Sequence, residues 1–169
     1  EKTDQSTYSD LGFMTLAFVI EALSGKNIYE YWLEICNLFY PRLSFEFHLN
    51  NQMKHMPQLY APTEKCPWRG RILQGEVHDE NCWALGGVST HAGLFGSIDD
   101  VGWFGLFVRG QLQGISRTLI KQKTAQFFAQ MSRPIGKGDL ALCYMMPTRG
   151  SSSSGDYFSP YSIGHTGFT

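Results

Sequence analysis

Three groups of polar residues carry the side chains that could do chemistry. Tyr8-Ser9-Asp10 stands directly before an apolar run that starts at Leu11, His165-Thr166-Gly167 lies near the other end, and His78, Asp79, Glu80 and His91 fall within one short stretch. A phenol and an imidazole can share the protons of an acyl transfer, but a phenol, with an ordinary pKa of about 10, needs a cationic neighbour to do so near neutrality. Ser9 and Asp10 have a simpler use as caps of the helix that follows. The two histidines and two acids are of metal-ligating types. They match no H-E-x-x-H spacing, and adjacent side chains do not converge on one ion, so no metal is expected there. They remain either a hydrogen-bonded loop that fixes the Gly86-Gly87 turn or, the preferred reading, part of the lining of a substrate cleft, with His78 and His91 facing the substrate.

The elements that must position these residues follow from pattern. Residues Leu11 to Leu23 are apolar on nearly every face, which predicts a helix packed on most sides. Gly25 suits its left-handed end, and Asn27 caps a second helix in which Ile28, Tyr31, Trp32, Ile35 and Leu38 recur at helical spacing until Pro41. From Pro41 to Gly75 no period is sustained, which predicts a long loop with short strands. Gly86, Gly87 and Gly93 around His91 imply tight turning or close backbone approach. Ser97 and Asp100 have the spacing of a capping box that opens a helix to about Arg109. Thr118 to Met131 predicts a further helix, Ser132 to Gly138 a turn, Asp139 to Met146 a strand, and Gly150 to Gly155 a serine-rich loop.

Composition narrows the function classes. The chain has 169 residues, 43% hydrophobic and 17% charged, enough apolar material for one substantial core. Its 14 basic and 15 acidic residues leave a formal charge of −1, and no basic run forms a stripe, so nucleic acid is not an expected partner. The stretch from Leu11 to Ile20 is too short to cross a bilayer, so no transmembrane segment is expected. Cys36, Cys66, Cys82 and Cys143 include no C-x-x-C pair; Cys66 and Cys82 are open to either a disulfide or two buried thiols. Trp68, Trp83 and Trp103 could stack on a ring substrate, though core packing is the reading preferred for each.

Taken together, Tyr8-Ser9-Asp10-Leu11-Gly12 leading into an apolar helix and Gly164-His165-Thr166-Gly167-Phe168 near the other end resemble the second and third motifs of the serine β-lactamase and penicillin-binding-protein superfamily, in its class C-like and esterase-like branch. Between them, Gly75-Glu76-Val77-His78-Asp79-Glu80-Asn81, Leu85-Gly86-Gly87-Val88 and His91-Ala92-Gly93-Leu94-Phe95 resemble a block of a subgroup with some members active on cell-wall muropeptides. The implied fold class is α/β of the β-lactamase or transpeptidase type, this segment being mainly its helical part plus the edge strand that carries the third motif. The superfamily's nucleophile is a serine with a lysine three positions on. No serine here has one; only Thr118 and Lys121 fit that spacing. Residues 1–169 are therefore read as a partial domain, with the nucleophile helix before residue 1 and the closing strands after residue 169.

The resemblance implies a role for each matched residue. Tyr8 would share proton traffic with the nucleophile and its lysine, and Asp10 stands where the family usually has asparagine, exchanging a donor for an acceptor. His165 stands where β-lactamases usually have lysine, and would hold positive charge or hydrogen-bond the tyrosine. Thr166 would contact a substrate carboxylate or carbonyl, Gly167 would let the strand approach it, and the Phe168 amide would be one oxyanion-hole donor. The implied function is a serine hydrolase that forms an acyl-enzyme, with a muropeptide amide, a peptide or a small ester as substrate, and no cofactor. Wall-directed relatives imply an extracytoplasmic location. The alternative is a noncatalytic relative that keeps the cleft as a binding or regulatory surface.

Overall fold

A computed structural model describes residues 9–39, 44–50, 57–115, 120–130 and 140–167. The described residues divide into two compact units, 9–103 and 104–167. Helices and short antiparallel strands are mixed along the chain, an α/β composition compatible with the expected class.

In the first unit, α1 (Leu11–Ser24) and α2 (Ile28–Phe39) are set by the local signals already noted. Gly25 closes α1 in the left-handed region, at φ 69°, and its amide donates to the Glu21 carbonyl at 2.9 Å. Glu21 also turns its carboxylate onto the Ile28 amide at 3.0 Å, and Asn27 Oδ1 accepts from the Glu30 amide at 2.9 Å. The entry to α2 is thus satisfied by an acid from the preceding helix and an asparagine cap. Trp32 anchors α2 onto the next segment through its indole N–H to the Phe45 carbonyl, 3.3 Å, and an edge-on contact with Phe47. No residue of α1 is buried, although the helix is almost wholly apolar.

The region expected as a long loop contains a hairpin, β2 (Pro62–Cys66) and β3 (Arg71–Gln74), irregular between Pro62 and Lys65. β1 (Glu46–Phe47) pairs with β4 (Leu94–Phe95), bringing residues flanking the glycine-rich block back to the start of the region. The buried apolar residues of this unit are Cys66, Leu73, Val77 and Cys82, so the hairpin and the block from 75 to 82 hold its core. α3 (Glu80–Ala84) is capped by Asp79, which accepts from the Cys82 amide at 2.7 Å. The close approach inferred from the glycines is observed. At Gly93, φ 100°, a Cβ would lie 2.6 Å from the Gly87 carbonyl oxygen and 2.7 Å from Cys82 Sγ, so only glycine fits.

α4 (Ile98–Gln113) starts at the expected capping box: the Asp100 amide donates to Ser97 Oγ at 3.2 Å, and the Ser97 amide returns to Asp100 Oδ2 at 2.8 Å. The helix runs four residues past the expected end. In the second unit, α5 (Gln122–Phe128) is shorter than the helix expected from Thr118 to Met131; residue 120 is already a bend, residues 129 and 130 leave the helix, and 116–119 and 131 lie outside the described residues. The strand expected from Asp139 to Met146 is instead a hairpin, β5 (Leu140–Ala141) and β6 (Tyr144–Met145), because Cys143 adopts φ 66° and reverses the chain. The turn expected at 132–138 lies outside the described residues. Gly164 pairs with Met145 through two backbone hydrogen bonds, 2.7 and 3.0 Å, as an isolated bridge, so among the described residues the third motif is not a continuous edge strand. All four cysteines are free thiols, Cys66 and Cys82 both buried.

Candidate functional site

The first unit gathers most of the described candidate residues. Arg69, on the turn between β2 and β3, is a buried guanidinium that donates to the Val77 carbonyl at 2.8 Å and to the His78 carbonyl at 2.5 Å. Glu76, also buried, faces Arg69 at 3.5 Å and pairs with Arg71. Trp68 and Trp83 meet edge to face at 4.9 Å, and the Arg69 guanidinium lies 4.8 and 5.7 Å from their ring centres. Their packing around Arg69 accounts for both rings, although Trp68 stays half exposed. Backbone carbonyls that would otherwise be unpaired are thereby satisfied, and residues 77–79 are held rigidly.

From that rigid stretch the two candidate histidines take different partners. His78 lies 3.5 Å from Glu64 of β2. His91, its ring almost fully buried, places Nε2 2.9 Å from Asp79 Oδ1 and Nδ1 2.7 Å from Ser89 Oγ. A carboxylate only accepts, so in this bond Nε2 carries the proton, and the Ser89 hydroxyl holds the other ring nitrogen. Burial raises the Asp79 carboxyl, but the Cys82 amide and the His91 ring outweigh it and hold the group below the usual carboxylate range. Burial, with a smaller contribution from the same acid, pushes the Cys82 thiol up to about 12, leaving it inert as a nucleophile. Glu80, adjacent to Asp79, is exposed.

Asp10 joins this group from the N-terminal end of α1. Its side chain makes no capping bond to its own helix; Ser9 Oγ instead accepts from the Leu11 amide at 3.3 Å. Asp10, Asp79 and His91 each turn one ligating atom inward, all within 4.8 Å of one another. Thr90, between Ser89 and His91, donates its hydroxyl to the Phe13 carbonyl of α1 and fixes the helix start against the block. Two candidates placed far apart in sequence, Asp10 and His91, are therefore neighbours, while His78 faces the hairpin.

Tyr8 and Phe168 lie outside the described residues. His165 is exposed in the second unit and donates from Nδ1 to the Thr166 carbonyl at 2.7 Å. The Thr166 hydroxyl lies 3.7 Å from Met145 Sδ, and Gly167 is exposed.

Sequence reasoning missed Ser89, whose hydroxyl orients His91; no local pattern marks a serine two residues before a histidine. It also missed His48, 2% exposed, which donates from Nδ1 to the Gly75 carbonyl at 2.6 Å and stacks on Phe95 at 4.1 Å. Glu46 Oε1 accepts from the Tyr60 hydroxyl at 2.6 Å and lies 3.0 Å from His48 Nε2. That bond and burial push the Tyr60 phenol up to about 12. This group ties β1 to the residue that opens the block and supports it from behind.

No family model matches the chain, and no solved structure matches it. Among curated proteins it is similar to one of Bacillus subtilis strain 168 named N-acetylmuramyl-L-alanine amidase, 33% identical over 181 residues, which covers 96% of this chain and 39% of that protein. It is also similar to proteins whose names include D-alanyl-D-alanine carboxypeptidase, from Escherichia coli K12, 30% identical over 183 residues, and from Salmonella agona SL483, 29% over 180. These two alignments cover 96% of this chain and 40% of each relative. The chain spans about two fifths of the length of the curated relatives it matches.

Proposed function

We propose that this chain is part of a peptidoglycan-acting serine hydrolase of the β-lactamase-like superfamily. The observation that carries the reading is the similarity, along 96% of the chain, to proteins named as a muramyl-alanine amidase and as D-alanyl-D-alanine carboxypeptidases. Both names describe hydrolysis of an amide in cell-wall material, and the order of motifs along this chain is what the superfamily resemblance demands. The nucleophilic serine and its lysine are placed outside residues 1–169, since no serine here has a lysine three positions on.

In this reading the serine oxygen attacks the amide carbonyl, the C–N bond breaks, and the departing amine takes a proton relayed through Tyr8; water then cleaves the ester and returns the serine. Phe168 supplies one amide to the oxyanion, and His165 and Thr166 hold the substrate carboxylate. The resemblance also assigns Asp10 and His91, which are neighbours in the first unit, to substrate binding. The Arg69-held block explains how a loop can keep that geometry: the Arg69 guanidinium holds the 77 and 78 carbonyls, and Asp79 and Ser89 hold the His91 ring, all within one unit.

The test is covalent. A fluorophosphonate or penicillin probe on the longer protein, with muropeptide as competitor, is expected to label one serine that precedes residue 1 and to lose the label when Tyr8 is changed to Phe. The 169-residue chain alone is expected to turn over neither ester nor amide. Absence of labelling on the longer protein, with muropeptide still bound, would replace this reading with a noncatalytic binding protein.

A further inference from the structure

We propose that Asp10, Asp79 and His91 form a site for one divalent cation of the class that takes mixed nitrogen and oxygen ligands, Zn²⁺ or Mn²⁺. Residues 78–91 alone hold no such set, because adjacent side chains do not converge on one ion. The third ligand comes from the start of α1, which no spacing rule would have joined to them.

Two features support the site. The donor set is one imidazole and two carboxylates, their ligating atoms all within 4.8 Å of one another. Bonds of about 2.1 Å at a tetrahedral or octahedral ion put neighbouring donors about 3.0–3.4 Å apart, so closure needs inward movement of up to about 1.5 Å. Asp10 can supply it, because its carboxylate has no capping bond to its own helix to break.

The second is the arrangement behind the ligand. Ser89, 4% exposed, holds His91 Nδ1 at 2.7 Å and, as a hydroxyl, can either give or take a proton there. When Nε2 binds a metal, Nδ1 carries the hydrogen and donates to Ser89. The ring needs no reorientation, which is the support that metal-ligating histidines usually have. Three protein ligands leave at least one position open to water or to an oxygen of a bound molecule.

The experiment is binding to the chelator-treated 169-residue chain, read by equilibrium dialysis with elemental analysis and by thermal shift. One equivalent of Zn²⁺ or Mn²⁺ is expected to be retained and to raise the melting temperature, with Mg²⁺ and Ca²⁺ much weaker. Asp10→Asn is the informative variant, since it removes a ligand but no hydrogen bond of the fold; it is expected to weaken binding at least tenfold. Ser89→Ala is expected to weaken it by about ten- to a hundredfold. Lack of stoichiometric binding by the unmodified chain, or an affinity in Asp10→Asn or His91→Gln equal to that of the unmodified chain, overturns the proposal. The readout is independent of hydrolysis, so the acyl-enzyme reading can fail while the cation site stands, and the reverse.

Discussion

The block from residue 75 to residue 100 and helix α1 are built from opposite materials and satisfied in opposite ways. The block is glycine-rich and polar, yet Glu76, Ser89 and Asp100 are buried, and Arg69 beside it is 6% exposed, each engaged with partners supplied by the same unit. α1 is a run of leucine, phenylalanine, valine and isoleucine, yet Phe18 is 65% and Leu23 84% exposed. Polar groups buy specificity by pairing, and pairing is complete only within reach; apolar surface needs area, and the described residues offer α1 too little of it. The lesson is that among the described residues the polar groups of the block find partners within their own unit, while the apolar surface of α1 stays uncovered.

The strongest way to break the comparison is to unlock the block. Arg69→Ala would leave the Val77 and His78 carbonyls and the buried Glu76 with too few donors, although Arg71 still reaches Glu76. Removing one partner from such an arrangement costs about 3 kcal/mol or more, so a large fall in the denaturant midpoint is expected. Gly93→Ala is expected to cost a similar or slightly smaller amount, about 3 kcal/mol, from the Cβ clash with Gly87 and Cys82 and the unfavourable φ. A midpoint unmoved by either change would mean that the block is held by something other than these contacts.

Asp100 gives a smaller and pH-coded effect. Its carboxylate accepts from the Ser97 hydroxyl and amide and from the Ser44 amide and hydroxyl, and these bonds hold it down at about 2. A carboxyl lowered on folding stabilises the native state fully above its unfolded value, about 3.9, and loses that stabilisation as pH falls towards 2. Asp100→Asn is therefore expected to cost about 2 kcal/mol at neutral pH, and the gap between variant and parent should shrink steadily from pH 4 to pH 2. A gap constant across that range would detach the cap from its charge.

What could be read in the sequence divides along the same line. The end of α1 at Gly25, the Asn27 cap, and the Ser97–Asp100 box were legible because each is settled within four residues. The glycines at 87 and 93 were legible as places of close approach, but not what approaches. Ser44 reaching Asp100, His48 reaching Gly75, and Asp10 joining His91 are pairings across 27 residues or more, and local pattern carries no information on them. α5 is shorter than its composition suggests for a related reason: helix-forming residues continue past those that the fold holds in a helix, and a single left-handed residue, Cys143, makes a hairpin of the expected strand. The candidate site was half legible, as residue types; its convergence was not.

The smallest expected effect tests the other side of the comparison. If α1 is truly unpartnered in the 169-residue chain, replacing Phe18 by Gln removes little buried surface and should shift stability by less than about 0.5 kcal/mol. The same change should reduce self-association, because exposed apolar patches drive it, and this is measurable by light scattering against concentration. In the longer protein the outcome should differ. If additional chain covers this face, the ring becomes buried, and the same substitution would cost about 2–4 kcal/mol as a core truncation that also introduces an amide. Equal effects in the short and long proteins would mean that α1 stays exposed in both, and that its apolar face meets something other than the rest of its own chain.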